Sequence, residues 1–307
     1  MKHLNAFQTR LGLAVMGAGV MFASQVGSVA AVVHPSSYVT KTATAIVASA
    51  GTGAATATCP SGDVVVTGGA YWHPTTSDAS DPTLATSISS SSPQTNLSGW
   101  YANGFNQSNQ SMKLTVVAQC LPKSALGSYT ILKREVVVDP NRPGNADLTC
   151  KSGQAVVEGG GVWHKPGKNP KPGLFGFLST SMPDASTTGW SVAGWSSSAS
   201  DLDLRVVAVC VPLAIISGGY TGIAVNLAAS YGNASERYQA CPANKLAVAG
   251  GVEWGHGDGT PDTDVRNVIE SSSVSADGSE WYAAVRFTDG RVATEFYTVK
   301  VYCLSQG

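Results

Sequence analysis

The sequence predicts an all-β protein made of three homologous antiparallel repeats, each a β-sandwich or β-prism-like unit with one disulfide. The stretch CPSGDVVVTGGAYWH, which begins at Cys59, returns as CKSGQAVVEGGGVWH from Cys150 and as CPANKLAVAGGVEWGH from Cys241, so the motif recurs every 91 residues. The segments LTVVAQC, LRVVAVC and YTVKVYC alternate with the period of two that a half-buried strand requires. Pro, Gly and Asn turns separate these short segments, as in antiparallel β proteins.

The period extends beyond this motif and divides the chain into repeats. A tyrosine precedes the first cysteine of each repeat at the same spacing of 91 residues, at Tyr38, Tyr129 and Tyr220. No amphipathic helical stretch of useful length interrupts the pattern. We therefore place repeat 1 at residues 32–127, repeat 2 at 128–218 and repeat 3 at 219–307.

Residues 1–31 have the features of a signal peptide. Lys2 and Arg10 supply positive charge, and the following run LGLAVMGAGVMFA is too short to span a bilayer. Ala30 and Ala31 each complete a small-x-small cleavage pattern. The alternative is an uncleaved anchor. We expect a secreted protein, extracellular or periplasmic, with no transmembrane segment in the mature chain.

The six cysteines occur twice in each repeat, so the threefold pattern leaves two economical pairing schemes. The cysteines pair either within each repeat or from the end of one repeat to the start of the next. We favour the first scheme, because the second requires Cys303 to reach back to Cys59. The predicted disulfides are Cys59–Cys120, Cys150–Cys210 and Cys241–Cys303, and such bonds persist in exported proteins. Free thiols or a zinc site are disfavoured, because paired CxxC spacing is absent.

A pair of glycines follows the first cysteine of each repeat, at Gly68-Gly69, Gly159-Gly160 and Gly250-Gly251. Glycine weakens a strand, so its recurrence inside an apolar strand indicates a β-bulge or a close backbone approach. We expect either a neighbouring repeat or a Trp ring to be the group that approaches.

The order Cys-Pro-x-Gly, aliphatic run, Gly-Gly, Trp, a later Gly-Trp and a closing strand ending in Cys resembles a small disulfide repeat of secreted bacterial proteins. The first repeat matches in full, whereas the second has Lys151 in place of the proline and the third has Asn244 in place of the glycine. The resemblance covers all three repeats and rests on structural motifs. It implies no activity and no catalytic residue.

The composition and motifs argue against several classes of function. Only 13% of the residues are charged and the formal net charge is −1, so no basic surface for nucleic acid is expected. The chain has no G-x-S-x-G motif of an esterase-type hydrolase. Acidic residues of repeat 3 offer carboxylates for glycoside hydrolysis, but a solvated loop explains them better: Glu253, Asp258, Asp262, Asp264 and Glu270. We expect no cofactor and more probably no enzyme.

Two sets of tryptophans recur in register, Trp72, Trp163 and Trp254 in the first and Trp100, Trp190 and Trp281 in the second. The first set adjoins the most variable loops, and loops on a rigid β scaffold often carry recognition. We therefore nominate Trp72, Trp163 and Trp254 as an aromatic platform for a ligand. The alternative is that both sets are core residues packed over the disulfides.

His73 and His164 directly follow their tryptophans, and His256 follows one residue late. These three histidines join the candidate ligand-binding residues. If the repeats close around a threefold axis, the three imidazoles could bind one metal ion together. The alternative is that each is a solvent-exposed histidine beside a Trp.

The favoured function is a non-enzymatic, adhesin-like binding protein that contacts a glycan or another surface partner through three copies of one site. A structural component of an extracellular matrix or envelope layer is the alternative, and a secreted hydrolase is a further one.

Overall fold

A computed structural model describes residues 38–76, 85–168, 176–216, 220–255, 267–288 and 294–305. These ranges contain eighteen β-strands and two helices of four residues each, which confirms the all-β prediction. Neither of the helices described there has the length and apolarity needed to cross a membrane. The predicted signal peptide lies outside the described residues.

Each repeat contributes six strands in the same order. Repeat 1 has β1 (Val39–Val47), β2 (Gly51–Thr58), β3 (Asp63–Pro74), β4 (Thr86–Pro93), β5 (Gly99–Asn106), β6 (Met112–Pro122) and helix α1 (Lys123–Leu126). Repeat 2 has β7 (Thr130–Val138), β8 (Pro143–Thr149), β9 (Gln154–His164), β10 (Gly176–Pro183), β11 (Gly189–Ser196), β12 (Leu202–Pro212) and helix α2 (Leu213–Ile216). Repeat 3 has β13 (Thr221–Ser230), β14 (Ala234–Ala240), β15 (Lys245–Gly255), β16 (Val268–Val274), β17 (Glu280–Arg286) and β18 (Thr294–Ser305).

The strands form three six-stranded antiparallel sheets, and every sheet is shared by two repeats. Sheet A has the order β1-β6-β3-β16-β17-β14, sheet B the order β2-β5-β4-β9-β12-β7 and sheet C the order β13-β18-β15-β10-β11-β8. Each repeat thus gives its first, sixth and third strands to one sheet and its second, fifth and fourth to another. The sharing is cyclic, so the three repeats close into a triangular prism around a pseudo-threefold axis.

The second glycine of each pair lies at the seam where two repeats meet within a sheet. A Cβ atom on Gly160 would collide with the carbonyl oxygen of Ser91, and Gly69 and Gly251 have equivalent neighbours in the next repeat. Serine side chains strengthen this seam, since Ser90 Oγ accepts a hydrogen bond from the amide of Trp163 at 3.2 Å. The predicted approach of a neighbouring repeat is therefore confirmed.

The first glycine of each pair accommodates a Trp of the second set, which confirms the approach of a Trp ring as well. A Cβ on Gly68 would lie 2.6 Å from Cδ2 of Trp100, and Gly159 and Gly250 face Trp190 and Trp281 in the same way. Equivalent residues of all three repeats surround a cavity of about 20 Å³ on the axis: Gly68, Ile88, Ser91, Trp100, Gly159, Leu178, Ser181, Trp190, Gly250, Ile269, Ser272 and Trp281. The indole Nε1 atoms donate to Ser91, Ser181 and Ser272 at 2.9, 3.2 and 3.0 Å. A β-bulge also precedes each glycine pair, as expected.

The three disulfides have the predicted pairing, Cys59–Cys120, Cys150–Cys210 and Cys241–Cys303. Each bond joins the residue that directly follows the second strand to the sixth strand of the same repeat, across a sequence separation of 61, 60 or 62 residues. In the chain-entropy model each closure stabilises the folded state by about 4 kcal/mol, less any strain.

A chain that ends at residue 218 tests whether the repeats depend on one another. Without repeat 3, sheets A and C each lose three of their six strands, and the strands left at the seams have unpaired edges. We expect no cooperative thermal transition by circular dichroism, whereas the full chain unfolds in one step. A truncated chain that melts cooperatively near the temperature of the full chain would show that the repeats are independent domains.

Gly160→Ala tests the seam. The new methyl group meets backbone atoms of Ser91 and Ser92, which cannot move without opening the sheet, so stability to urea should fall by about 1–3 kcal/mol. Gly161→Ala is the matched control, because the atoms nearest to its methyl group are the side-chain ends of Leu178 and Val192, which shift more easily than backbone atoms. Equal losses for the two variants would contradict the seam interpretation.

Candidate functional site

The first set of tryptophans lies in the core. Trp72 is 2% exposed, and Trp163 and Trp254 are 0% exposed. Trp72 packs within its own repeat, since a Cβ on Gly104 would lie 2.9 Å from its ring. These buried rings present no face to a ligand, so the core alternative describes both sets and the platform hypothesis gains no support from the structure.

The histidines do not converge, although the repeats do close around an axis. His73 lies on β3 in sheet A and His164 on β9 in sheet B, and both side chains belong to the outer faces of the prism, away from the axis. Both are 1% exposed, so neither is the exposed histidine of the alternative interpretation. His256 lies outside the described residues.

The acidic residues of repeat 3 that the structure describes do not form a carboxylate pair. Glu253 lies on β15 in sheet C, whereas Glu270 lies on β16 in sheet A. Glu270 is 2% exposed and accepts a hydrogen bond from Arg286 Nε at 2.7 Å, so it serves a buried ion pair. Asp258, Asp262 and Asp264 lie outside the described residues.

The structure shows a candidate site of another kind. In each sheet, the turn that joins the fourth and fifth strands of one repeat lies over the outer face of the repeat that follows it in the ring. In sheet A, Gln119 Nε2 donates to the carbonyl of Ser275 in this turn at 3.2 Å. In sheet C, the equivalent Tyr302 donates its hydroxyl to the carbonyl of Asp184 at 2.7 Å. In sheet B the equivalent residue is the short Val209, which is fully buried.

Sheet B therefore keeps open space between the turn of repeat 1 and the strands of repeat 2. The resulting groove has a volume of about 400 Å³, within the range of small-molecule sites. Hydroxyl, amide, aromatic and cationic side chains surround a floor of two valines: Ser92, Pro93, Gln94, Thr95, Asn96, Tyr101, Val162, Arg205 and Val207.

Short residues at two positions open this groove: both other repeats carry a larger residue at the first position, and repeat 3 carries one at the second, where repeat 1 has Val117. Val162 corresponds to Tyr71 in sheet A and to Glu253 in sheet C, by the same pairing with the sixth strand. Val207 corresponds in sheet C to Lys300, which donates to the carbonyl of Pro183 at 3.4 Å. The groove thus breaks the threefold symmetry of the frame.

The wall of the groove is held in place by its own hydrogen bonds. Ser98 Oγ donates to Gln94 Oε1 at 2.5 Å, and the amide of Ser98 donates to Asn96 Oδ1 at 3.0 Å. Leu97 has a left-handed φ of 57° and is fully buried, with its carbonyl accepting the Val65 amide at 2.9 Å. A wall fixed in this way loses little conformational entropy when a ligand binds.

Tyr101 and Arg205 supply the specific chemistry of the groove. Burial raises the pKa of the Tyr101 phenol, against the effect of a hydrogen bond that its oxygen accepts from Asn103 Nδ2 at 2.9 Å. Among the described residues no acceptor takes the phenolic proton, which therefore remains for a ligand. Arg205 is 21% exposed and donates from Nε to Glu135 Oε1 at 2.6 Å, so its guanidinium reaches the groove already oriented.

Beside the groove, Glu135, His164 and Asp203 place three potential metal-ligand atoms within 4.8 Å of one another. Partial burial favours the protonated form of Glu135, but the hydrogen bond and charge of Arg205, with His164 and Lys133, outweigh it and lower the pKa of this carboxyl. The cluster lies on β7, β9 and β12 of sheet B.

Fold and site together define a class: an all-β protein of three disulfide-bonded units closed into a prism, with one groove at the boundary of repeats 1 and 2. The three disulfides are of the kind that persist in oxidising compartments, consistent with an extracellular protein. A comparison with protein-family models finds no match, and a comparison with curated proteins finds no significant relative.

The groove was missed at the level of sequence, although a signal existed. Aligned repeats differ at Tyr71, Val162 and Glu253, directly before a tryptophan that all three share, and such a difference marks a position that the fold does not fix. Without the strand order, nothing indicated that Val162 of repeat 2 lies opposite Tyr101 of repeat 1.

Glu158 is a buried acid in the same strand, β9. It is 1% exposed, and neither carboxylate oxygen has a hydrogen-bond partner in the described part of the chain. Burial without a partner disfavours the ionised form and raises the pKa of Glu158 well above its ordinary value. The aligned positions of the other repeats carry Thr67 and Ala249, so the frame itself does not need an acid here.

Glu158→Gln should change how stability depends on pH. The folded protein keeps a proton on Glu158 that the unfolded chain loses above the ordinary pKa, so the stability of the parent should fall as pH rises from acid towards neutral. The glutamine variant should lose this dependence and be the more stable protein at neutral pH in urea unfolding. Glu236→Gln, at an exposed position of β14, is the control and should shift stability little at either pH. Parallel pH profiles for parent and Glu158→Gln would contradict the assignment.

Proposed function

We propose that this protein is a non-enzymatic, secreted, adhesin-like binding protein that holds a saccharide of one or two rings in the groove of sheet B. The observation that carries the proposal is the groove itself, which is open in sheet B because Val162 stands where the other repeats have Tyr71 and Glu253, and Val207 stands where repeat 3 has Lys300. A volume of about 400 Å³ suits a ligand of this size.

The side chains around the groove fit the chemistry of a sugar. Tyr101 offers an aromatic ring beside which the apolar face of a pyranose packs, and Val162 and Val207 give an apolar floor. Ser92, Gln94 and Asn96 carry hydroxyl and amide groups, the neutral polar groups that pair with sugar hydroxyls. Arg205 adds hydrogen-bond donors, and Glu135 offsets its charge, so neither a neutral nor an acidic sugar is excluded.

This proposal differs from the expectation of three equivalent sites. The residues that open the groove are not repeated, and the recognition surface lies between two repeats rather than beside the first set of tryptophans. We therefore propose one saccharide per chain, so that avidity, where needed, comes from several molecules on a surface.

Val162→Tyr tests this function. The variant copies the residue that repeat 1 carries at the same strand position, so the strand should accept it while the new ring fills the groove. The probe is a panel of immobilised neutral and acidic oligosaccharides; the best-retained one is then measured by surface plasmon resonance. Affinity should fall at least about tenfold for Val162→Tyr and for Tyr101→Ala.

Tyr238→Ala is the matched control, because Tyr238 is a 48% exposed tyrosine on β14 of sheet A. Its removal should leave affinity unchanged. Retention of no oligosaccharide by the parent chain, or equal retention by parent and Val162→Tyr, would refute the proposal. Circular dichroism of every variant separates lost binding from lost folding.

A further inference from the structure

The three residues Glu135, His164 and Asp203 form a cluster that the groove does not use. His164 is 1% exposed and the side chain of Asp203 is 7% exposed, whereas Glu135 is 46% exposed at the surface. His164 Nε2 lies 3.5 Å from Glu135 Oε1, and His164 Nδ1 lies 3.8 Å from Asp203 Oδ2. A buried imidazole thus stands between two carboxylates.

The hydrogen bonds of His164 fix which of its nitrogens carries a proton. Nδ1 lies 3.0 Å from the carbonyl oxygen of Lys165, and a carbonyl only accepts, so Nδ1 is the donor. In the neutral ring, Nε2 then presents a lone pair, and no described atom donates a hydrogen bond to it. This lone pair faces an oxygen of Glu135, which is also an acceptor.

Two acceptors that face each other at 3.5 Å repel unless a hydrogen or a cation lies between them. A metal ion meets this requirement with the ligand types present, because an imidazole nitrogen and carboxylate oxygens are the usual partners of Zn²⁺ and related divalent ions. Arg205 already bonds Glu135 Oε1, but a carboxylate has about four lone-pair sites over two oxygens, so both bonds are compatible. The bond Nδ1–H to a carbonyl is the support that metal-binding histidines commonly have.

Repeat 1 contains the same position without the cluster, which shows that the frame does not require it. There His73 pairs with Lys113 where His164 pairs with Asp203, and Thr44 stands in the place of Glu135. His73 Nε2 lies 2.7 Å from Thr115 Oγ1, so a hydroxyl satisfies it. The change from lysine and threonine to two acids converts a satisfied core histidine into a set of metal-ligand groups.

We propose that Glu135, His164 and Asp203, whose potential ligand atoms lie within 4.8 Å of one another, bind one divalent transition-metal ion of the Zn²⁺ type, with His164 Nε2 and Glu135 Oε1 as the facing pair and Asp203 as the third ligand residue. The site shares Arg205 with the groove but does not depend on the proposed saccharide, and its test needs no sugar.

The experiment is a calorimetric titration of the chelator-treated full chain with ZnCl₂ at about pH 7.5. The parent should bind one Zn²⁺ per chain, and bound Zn²⁺ should raise the thermal transition. His164→Ala and Asp203→Asn should each weaken binding at least about tenfold, and Asp203→Lys, which copies Lys113 of repeat 1, should abolish it.

His73→Ala is the matched control and should leave Zn²⁺ affinity within about twofold of the parent. Because His164 is buried, Glu135→Gln provides a second test at a position whose side chain is 46% exposed and whose change should not disturb folding. It should weaken Zn²⁺ binding while leaving the thermal transition of the metal-free protein in place. No binding of Zn²⁺ by the parent overturns the proposal. Equal effects of His73→Ala and His164→Ala overturn it as well.

Discussion

The structure depends on one constraint, the close lateral approach of two backbones where the third strand of one repeat meets the fourth strand of the next. At Gly69, Gly160 and Gly251 there is no room for a Cβ atom, because the carbonyl of a serine in the neighbouring repeat occupies that space. Each seam joins three strands of one repeat to three strands of another and so completes one six-stranded sheet. The inner face of each sheet is buried by strands of the other repeats, and a single repeat could not bury it alone. The hydrophobic core is therefore a property of the ring of repeats rather than of any one of them.

The same constraint explains why the two glycines of each pair are not interchangeable. One faces the axis and makes room for a Trp ring, while its neighbour faces the adjoining backbone. Since successive side chains of a strand point to opposite sides, one dipeptide fixes both the packing on the axis and the closure of the sheet. The serines within the fourth strand fit this arrangement, since their short hydroxyls bond the indole nitrogens inside and the strand amides at the seam.

Sequence reasoning succeeded where the repeats are identical and failed where they differ. Cysteine spacing predicted the disulfides and the glycine pairs predicted a close approach, because those features recur in register. The pairing was right although the argument from Cys303 and Cys59 was weak, since a closed ring brings the first and last repeats into one sheet. Trp163 was nominated as part of a ligand platform because variable loops follow it, with a core position as the alternative, and strand β9 turns its ring inward. The strand order, which places Val162 opposite another repeat, depends on contacts between residues far apart in the chain, and no local pattern encodes them.

The outer face of sheet B carries several ionisable residues that the equivalent positions of the other repeats do not share. In a chain with only 13% charged residues, strands β9 and β12 carry Glu158, His164, Asp203 and Arg205. Buried ionisable groups cost stability, so a frame closed by three disulfides is the setting in which they are tolerated. The other repeats carry threonine or alanine in place of Glu158, lysine or phenylalanine in place of Asp203, and threonine in place of Arg205, so the fold does not require these charges. Local rules of packing are broken mainly where function requires it, and this is the physical reason for proposing a binding surface at the boundary of repeats 1 and 2.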